Sequence, residues 1–199
     1  MIVFERFLQA HPVCEGPPLS SPPAPTPHGV RAAAGGRSFG GGLYRIHTEG
    51  SSIKLLEEID GAFPKAPPHI APFGYDWLGR QFCAQRDDPD ATCLIFELGT
   101  GEVLEVPVPF IALHDEELVD YRNEALASDF FVAYLESGGR APSTGQCVGY
   151  RTPLFLGGQD DVFNLELVNL DVYWHLTGQL VLQTRGLPPG TAVTAIRGD

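Results

Sequence analysis

Apolar and polar positions alternate, or apolar ones run together, in three short stretches mid-chain: residues 77–85, TCLIFEL (92–98) and EVLEVPV (102–108). RDDPDA (86–91) and GTG (99–101) separate them. Asp, Pro and Gly favour chain reversal, so the pattern predicts a three-stranded antiparallel meander. Upstream, LYRIH (43–47) reads as a strand. IKLLEEID (53–60) reads as a short helix capped by Ser51 or Ser52 and ended by Gly61 and Pro64. Downstream the period lengthens to that of a helix. One helix is expected over 109–120 and a second over EALASDFFVAYLES (124–137), stopped by Gly138 and Gly139. Residues 140–164 look loop-like, with one apolar patch, PLFLGG. NLELVN (164–169) predicts a strand, and Asn169 caps a last helix over 171–185. The apolar face of that helix carries Val172, Tyr173, Leu176, Leu180 and Gln183. Gly186 and Pro188 end it, and TAVTAI (191–196) reads as a further strand.

The front of the chain is different. IVFERFLQ (2–9) fits a short helix or strand. Residues 12–42 then hold 7 prolines and 7 glycines, a composition that sustains neither helix nor ladder for long. The expectation is a loop or entry arm, with one helical turn over 30–34. The division predicted is 1–42, a short helix plus arm, and 43–199, a single domain. Hairpins outnumber βαβ units, so the fold class expected is α+β: a twisted, mainly antiparallel sheet flanked by helices.

Composition narrows the class. A chain of 199 residues buries about 70% of its unfolded surface, so it needs neither metal nor disulfide to fold. No apolar run reaches the ~20 residues of a membrane span, and residues 1–11 lack the apolar core of a secretory signal. A cytoplasmic protein is expected. Cys14, Cys83, Cys93 and Cys147 contain no C-x-x-C. Cys83 and Cys93 fall on facing strands, which leaves a disulfide open, although four reduced thiols is the simpler expectation.

The formal net charge of −12 argues against a nucleic-acid surface and against anionic membranes. Ten acids and no Lys or Arg lie between residues 87 and 120. Such a block either keeps the protein soluble or steers a basic partner. His114-Asp115-Glu116-Glu117 places a base beside three acids, but it lacks the paired histidines of a zinc site. His175 sits in an apolar cluster. There is no G-x-S-x-G elbow, and Ser128 lies within a helix pattern. GGGLY (40–44) and Gly157-Gly158 lack P-loop spacing and its lysine. No cofactor, metal or catalytic residue is therefore assigned. Glu97, Glu102 and Glu105 share one hairpin, where paired carboxylates would suit a hydrolase, but a solvated sheet face is the plainer account. Aromatic anchors beside charge, including Trp174, suit a protein interface. The docking residues expected are Glu97, Glu102, Glu105, Asp115, Glu116, Glu117 and Trp174.

Four blocks, GGGLYRIH (40–47), PFGYDWLGRQF (72–82), GTGEVLEVP (99–107) and the long stretch 147–180 beginning CVGYRTPLFLGGQDDVFNLE, resemble proteins of the SUKH superfamily. The last block also resembles the C-terminal domain of immunity proteins paired with type VI secretion DNase effectors. The positions matching these motifs are Asp76, Trp77, Gly79, Arg80, Gly157, Gly158, Asn164 and Trp174. The chain departs from the superfamily pattern at its N-terminus, where the Pro-rich arm replaces a longer helical region. The resemblance implies a bacterial immunity protein of a toxin–antitoxin pair, which docks on a cognate toxin, with a basic nuclease as one candidate. A scaffold or regulatory adaptor is the alternative reading, and a hydrolase using the 97–105 hairpin is the second.

Overall fold

The computed structural model describes residues 4–19, 21–85 and 87–187. The predicted strand at 191–196 lies outside them. A short helix α1 (Glu5–Ala10) leads into β1 (Val13–Glu15), α2 (Pro27–Ala34), β2 (Ser38–Phe39), β3 (Tyr44–Ile46) and α3 (Glu49–Ala62). The meander follows as β4 (Ile70–Asp76), β5 (Gln81–Gln85), β6 (Thr92–Glu97) and β7 (Glu102–Pro109). These seven strands form one antiparallel sheet in sequence order, β1 to β7. The α+β expectation holds, with four more strands than the meander predicted.

The apolar runs in β5 and β6 have a simple cause: both faces of the sheet are covered. Phe82, Ala84, Cys93 and Ile95 join one buried cluster, while Cys83, Leu94 and Phe96 join a second. Successive strand residues point to opposite faces, so one run supplies both cores. Ala84 pairs with Cys93 and Cys83 with Leu94. Cys83 and Cys93 therefore lie on opposite faces, and both thiols are free. The open question of a disulfide closes on strand alternation alone.

The first face is covered by α1, α2 and a helical stretch after β7. That stretch comprises α4 (Phe110–Ala112), a π-helical turn (Leu113–Glu117) and α5 (Leu118–Asp120). The second face is covered by α3 and by α8 (Leu170–Thr184), whose N-cap is Asn169 as expected, its side chain accepting from the Val172 amide. A two-stranded sheet of β8 (Gln146–Tyr150) and β9 (Leu165–Asn169) precedes α8.

Several expectations need correction. Residues 12–42 are not a loose arm: β1, α2 and β2 lie within them, and Val30, Ala34 and Phe39 are core residues. Thr26 caps α2, with Pro27 at its first turn. The prolines thus sit where helix starts tolerate them. α3 begins earlier than predicted because Thr48, not Ser51 or Ser52, is its N-cap. Residues 77–85 are not one strand, since the chain reverses over 77–80 between β4 and β5.

The helix expected over 124–137 is broken at Ala127 (φ 49°, ψ 46°) into α6 (Arg122–Leu126) and α7 (Ser128–Glu136). The carbonyls of Ala125 and Leu126 are taken by Arg80 and by the Trp77 indole, at 2.9 and 3.0 Å. Side chains from the β4–β5 turn thus occupy acceptors that a continuing helix would use. The stretch expected to be loop, 140–164, contains the strand β8. Its Gly149 leaves room for the Tyr173 ring, which a Cβ would meet at 2.5 Å. Finally, α8 buries Tyr173, Trp174, Thr177, Gly178 and Val181, whereas Val172 and Leu176 are more than half exposed. The predicted stripe mixes the inner face with the outer one.

Candidate functional site

The motif positions gather into two places. The first is a corner where the β4–β5 turn meets α6 and α8. Asp76 is fully buried and accepts from the Leu78 and Arg80 amides and, at 2.6 Å, from the Arg80 guanidinium. Burial pushes the Asp76 carboxyl up in pKa, and the Arg80 charge pulls it back. Gly79 turns the chain at φ 77°, and a Cβ there would stand 2.9 Å from the Cys147 sulfur. Its carbonyl accepts from the Trp174 indole at 2.8 Å and from Gln81 at 3.0 Å. The Gln81 side-chain oxygen accepts in turn from His47 Nε2 at 2.9 Å. Trp77 and Trp174 are both fully enclosed. Trp174 is therefore a core residue and cannot present its ring to a docking partner.

The second place is the loop between β8 and β9. Asn164 donates to the carbonyls of Thr152 and Gln159, both at 2.8 Å, and accepts from the Thr152 amide at 3.0 Å. A Cβ on Gly158 would collide with the Thr152 carbonyl, and Gly157 turns at φ 88°. Tyr150 donates to Asp160 at 2.7 Å. Asp161 accepts from the amides of Phe163 and Asn164 at 2.9 and 3.1 Å, starting a single 3-10 turn, Val162–Asn164. Phe163, in the turn that leads this braced loop into β9, is 86% exposed. The hydrophobic pattern of the sequence does not mark this residue. The available signal is an aromatic residue between Asp161 and Asn164, both turn formers.

The acid block of 87–120 does not form one patch. Residues 87–90 lie at one end of β6 and the Glu97–Glu102 pair at the other. Asp87 accepts from the His28 amide at the start of α2. Asp115 accepts from the Phe7 and Glu5 amides, and Asp120 is paired with Arg6 at 2.6 Å. The Arg6 guanidinium holds Asp120's carboxyl below its usual range. Asp115 and Asp120 thus clamp α1. Glu117 is buried, and burial raises its pKa. Glu116 is exposed. Its neighbour His114 is fully buried, stacked on Phe4 at 4.3 Å and bonded to the Tyr44 hydroxyl at 3.2 Å. Burial pushes its pKa down to about 3. Among the described residues, no group of three or more His, Cys, Asp or Glu side chains could hold a metal ion.

Glu97 and Glu102 face each other across the β6–β7 ladder, and Glu105 faces Leu94. Strand alternation puts Glu105 on the sheet face opposite to Glu102. Glu97 is half-buried, and burial raises its pKa while the Arg80 charge opposes the rise. The three carboxylates expected together are thus divided between two faces. His175 is exposed on α8, 3.5 Å from Glu58. Ser128 is buried, its hydroxyl without a hydrogen-bond partner.

With that geometry in place, likeness to known proteins becomes informative. Residues 108–181 match the family model described as T6SS immunity protein Tdi1, C-terminal. The match supports a type VI secretion immunity-type protein, and it takes in the helices after β7, the braced loop and most of α8. It covers less than half of the chain. No curated protein matches. A crystal structure of Atu4351 from Agrobacterium tumefaciens is similar over 88% of this chain and 88% of that one, at 14% identity and a TM-score of 0.57. That likeness is one of fold. No helix among the described residues is long and apolar enough to cross a membrane.

Proposed function

We propose that this protein is an immunity protein that binds a cognate toxin and neutralises it by direct docking rather than by catalysis. The observation that carries the reading is the match of residues 108–181 to the C-terminal domain of a type VI secretion immunity family. The resemblance of blocks 40–47, 72–82 and 99–107 to the SUKH superfamily points the same way. A formal charge of −12 favours a basic partner, with a nuclease as one candidate, because long-range attraction speeds encounter. Glu102, Glu105 and Glu116 are exposed and fit that field better than the acids that clamp α1. The cytoplasm is the compartment this role requires if the toxin acts there.

Co-expression with the product of the adjacent gene tests the reading. The chain should suppress that product's toxicity and co-purify with it. Affinity should fall as salt rises, because exposed charges are screened. Toxicity unchanged by the chain, with no complex formed, rejects the proposal. Flat salt dependence in a complex that does form rejects the basic partner alone.

A further inference from the structure

The braced loop poses a physical question that the fold does not answer. Two hydrogen bonds donated and one accepted by the Asn164 side chain, two accepted by Asp161 and one from Tyr150 to Asp160 hold residues 150–164. What they hold outward is Phe163. At 86% it is by far the most exposed large apolar side chain among the described residues, the next being Ile53 at 58%. A disordered segment would let such a ring fold back onto the surface. Here the hydrogen bonds order the backbone on either side of the ring. Val162 packs against the core and Leu165 is buried, so the intervening 3-10 turn directs Phe163 away from both.

An aromatic side chain presented to water from an ordered turn buries little surface on folding, yet a docking anchor needs that arrangement. Aromatic anchors in desolvated pockets carry much of the energy of protein interfaces, and holding the bound conformation in advance lowers the ordering cost. The surroundings suit the same role. α7 lies against the 3-10 turn, and its outer face carries Val132 and Leu135, both exposed. Charge gives the partner's character: residues 150–166 hold Asp160, Asp161 and Glu166 against one cation, Arg151. Arg151 stands 4.0 Å from Glu166.

We propose that Phe163 is the hydrophobic anchor of this protein's docking surface, inserting into an apolar socket bordered by lysine or arginine on the toxin. The proposal rests on the immunity reading above and adds the surface and the chemistry it recognises. It places the contact outside the 97–117 acids expected from the sequence, on a loop within the region that matches the immunity family.

The test is titration of the adjacent gene's toxin with purified wild-type chain, Phe163→Ala and, as a surface control, Ile53→Ala. Phe163→Ala should raise Kd by at least about thirtyfold, the range of an interface hot spot, with an unchanged thermal midpoint. Ile53→Ala should stay within about threefold of wild type. Wild-type affinity should weaken as salt rises. Tight binding by Phe163→Ala overturns the anchor while leaving the immunity reading intact. Absence of binding by the wild-type chain removes that reading and the anchor with it. An affinity indifferent to salt overturns the basic border. If sedimentation shows wild-type self-association that Phe163→Ala abolishes, the socket belongs to a second copy, and the toxin-docking proposal fails.

Discussion

The corner around Asp76 and the loop around Asn164 are built from the same materials and serve opposite ends. Each uses glycine at a tight place, a side-chain amide or carboxylate accepting from backbone, and an aromatic residue. At the corner the bonds end on groups that are themselves buried: the Ala125, Leu126 and Gly79 carbonyls, reached by Arg80, Trp77 and Trp174. At the loop they end on the loop's own backbone, and the aromatic is left in water. Unusual composition marked both places equally. What separates a folding motif from an exposed one is where its hydrogen bonds terminate. If the difference is real, damage to the corner should appear in stability, and damage to the loop in binding.

The largest effect is expected from Asp76→Ala. Removing the carboxylate leaves the buried Arg80 guanidinium without its hydrogen-bonded counter-charge and frees two backbone amides. Breaking one side of such a pair costs about 3–5 kcal/mol, and urea denaturation followed by tryptophan fluorescence would register it. A loss below about 1 kcal/mol would mean that Arg80 finds another partner or water, as an exposed pair does, and the contrast with the loop would collapse.

Acid should act on the core and not on the loop. Burial pushes the pKa of His47 down to about 4 and that of His114 to about 3. In the unfolded chain both titrate near about 6.5. A histidine depressed on folding contributes its full stability above the unfolded pKa and loses it as pH falls towards the folded one. Between pH 6.5 and 5 the unfolded chain therefore binds the extra protons. Each histidine then lowers stability by up to about 1.4 kcal/mol per pH unit, the limit approached as the unfolded side chain becomes fully protonated. His11, also lowered by burial, adds in the same direction. His114→Phe should remove one histidine's share of this slope, measured as denaturation midpoints across that window. An unchanged slope would show that His114 takes up a proton in the folded state. Residues 150–164 contain no histidine, so toxin affinity should vary less over this range than stability does.

The sheet was legible wherever one local pattern was enough. TCLIFEL and EVLEVPV paired as expected, and Asn169 capped α8. Features that depend on distant partners were not legible. Phe39 and Val30 sit in a Pro/Gly-rich stretch, and only the surrounding sheet and helices make them core. The break at Ala127 depends on Trp77 and Arg80, dozens of residues away, capturing two carbonyls. On α8, apolar residues occur on both sides, so periodicity could not choose between Trp174 and Leu176. The site suffered from the same limit. Asp115 and Trp174 look like surface groups in sequence, and each is engaged by a partner far along the chain.

The smallest effect on stability, and the most discriminating, is expected from Asn164→Ala. The substitution removes three hydrogen bonds, but the backbone groups they leave lie beside solvent and can turn to water. The cost should therefore be about 1 kcal/mol, against the larger penalty of groups stranded in a core. Hydrogen exchange at the Thr152 amide should accelerate, because its acceptor is the Asn164 side chain. Toxin affinity should nevertheless fall, although every atom of Phe163 remains. A ring no longer held outward must be ordered again on binding, at a cost of about 0.5–1.5 kcal/mol for each immobilised side chain. A weakened Asn164→Ala complex with near-native stability separates presentation of the ring from its contact area. If binding and exchange are both unchanged, the bonds around Asn164 are redundant, and the loop owes its shape to Gly158 and Asp161.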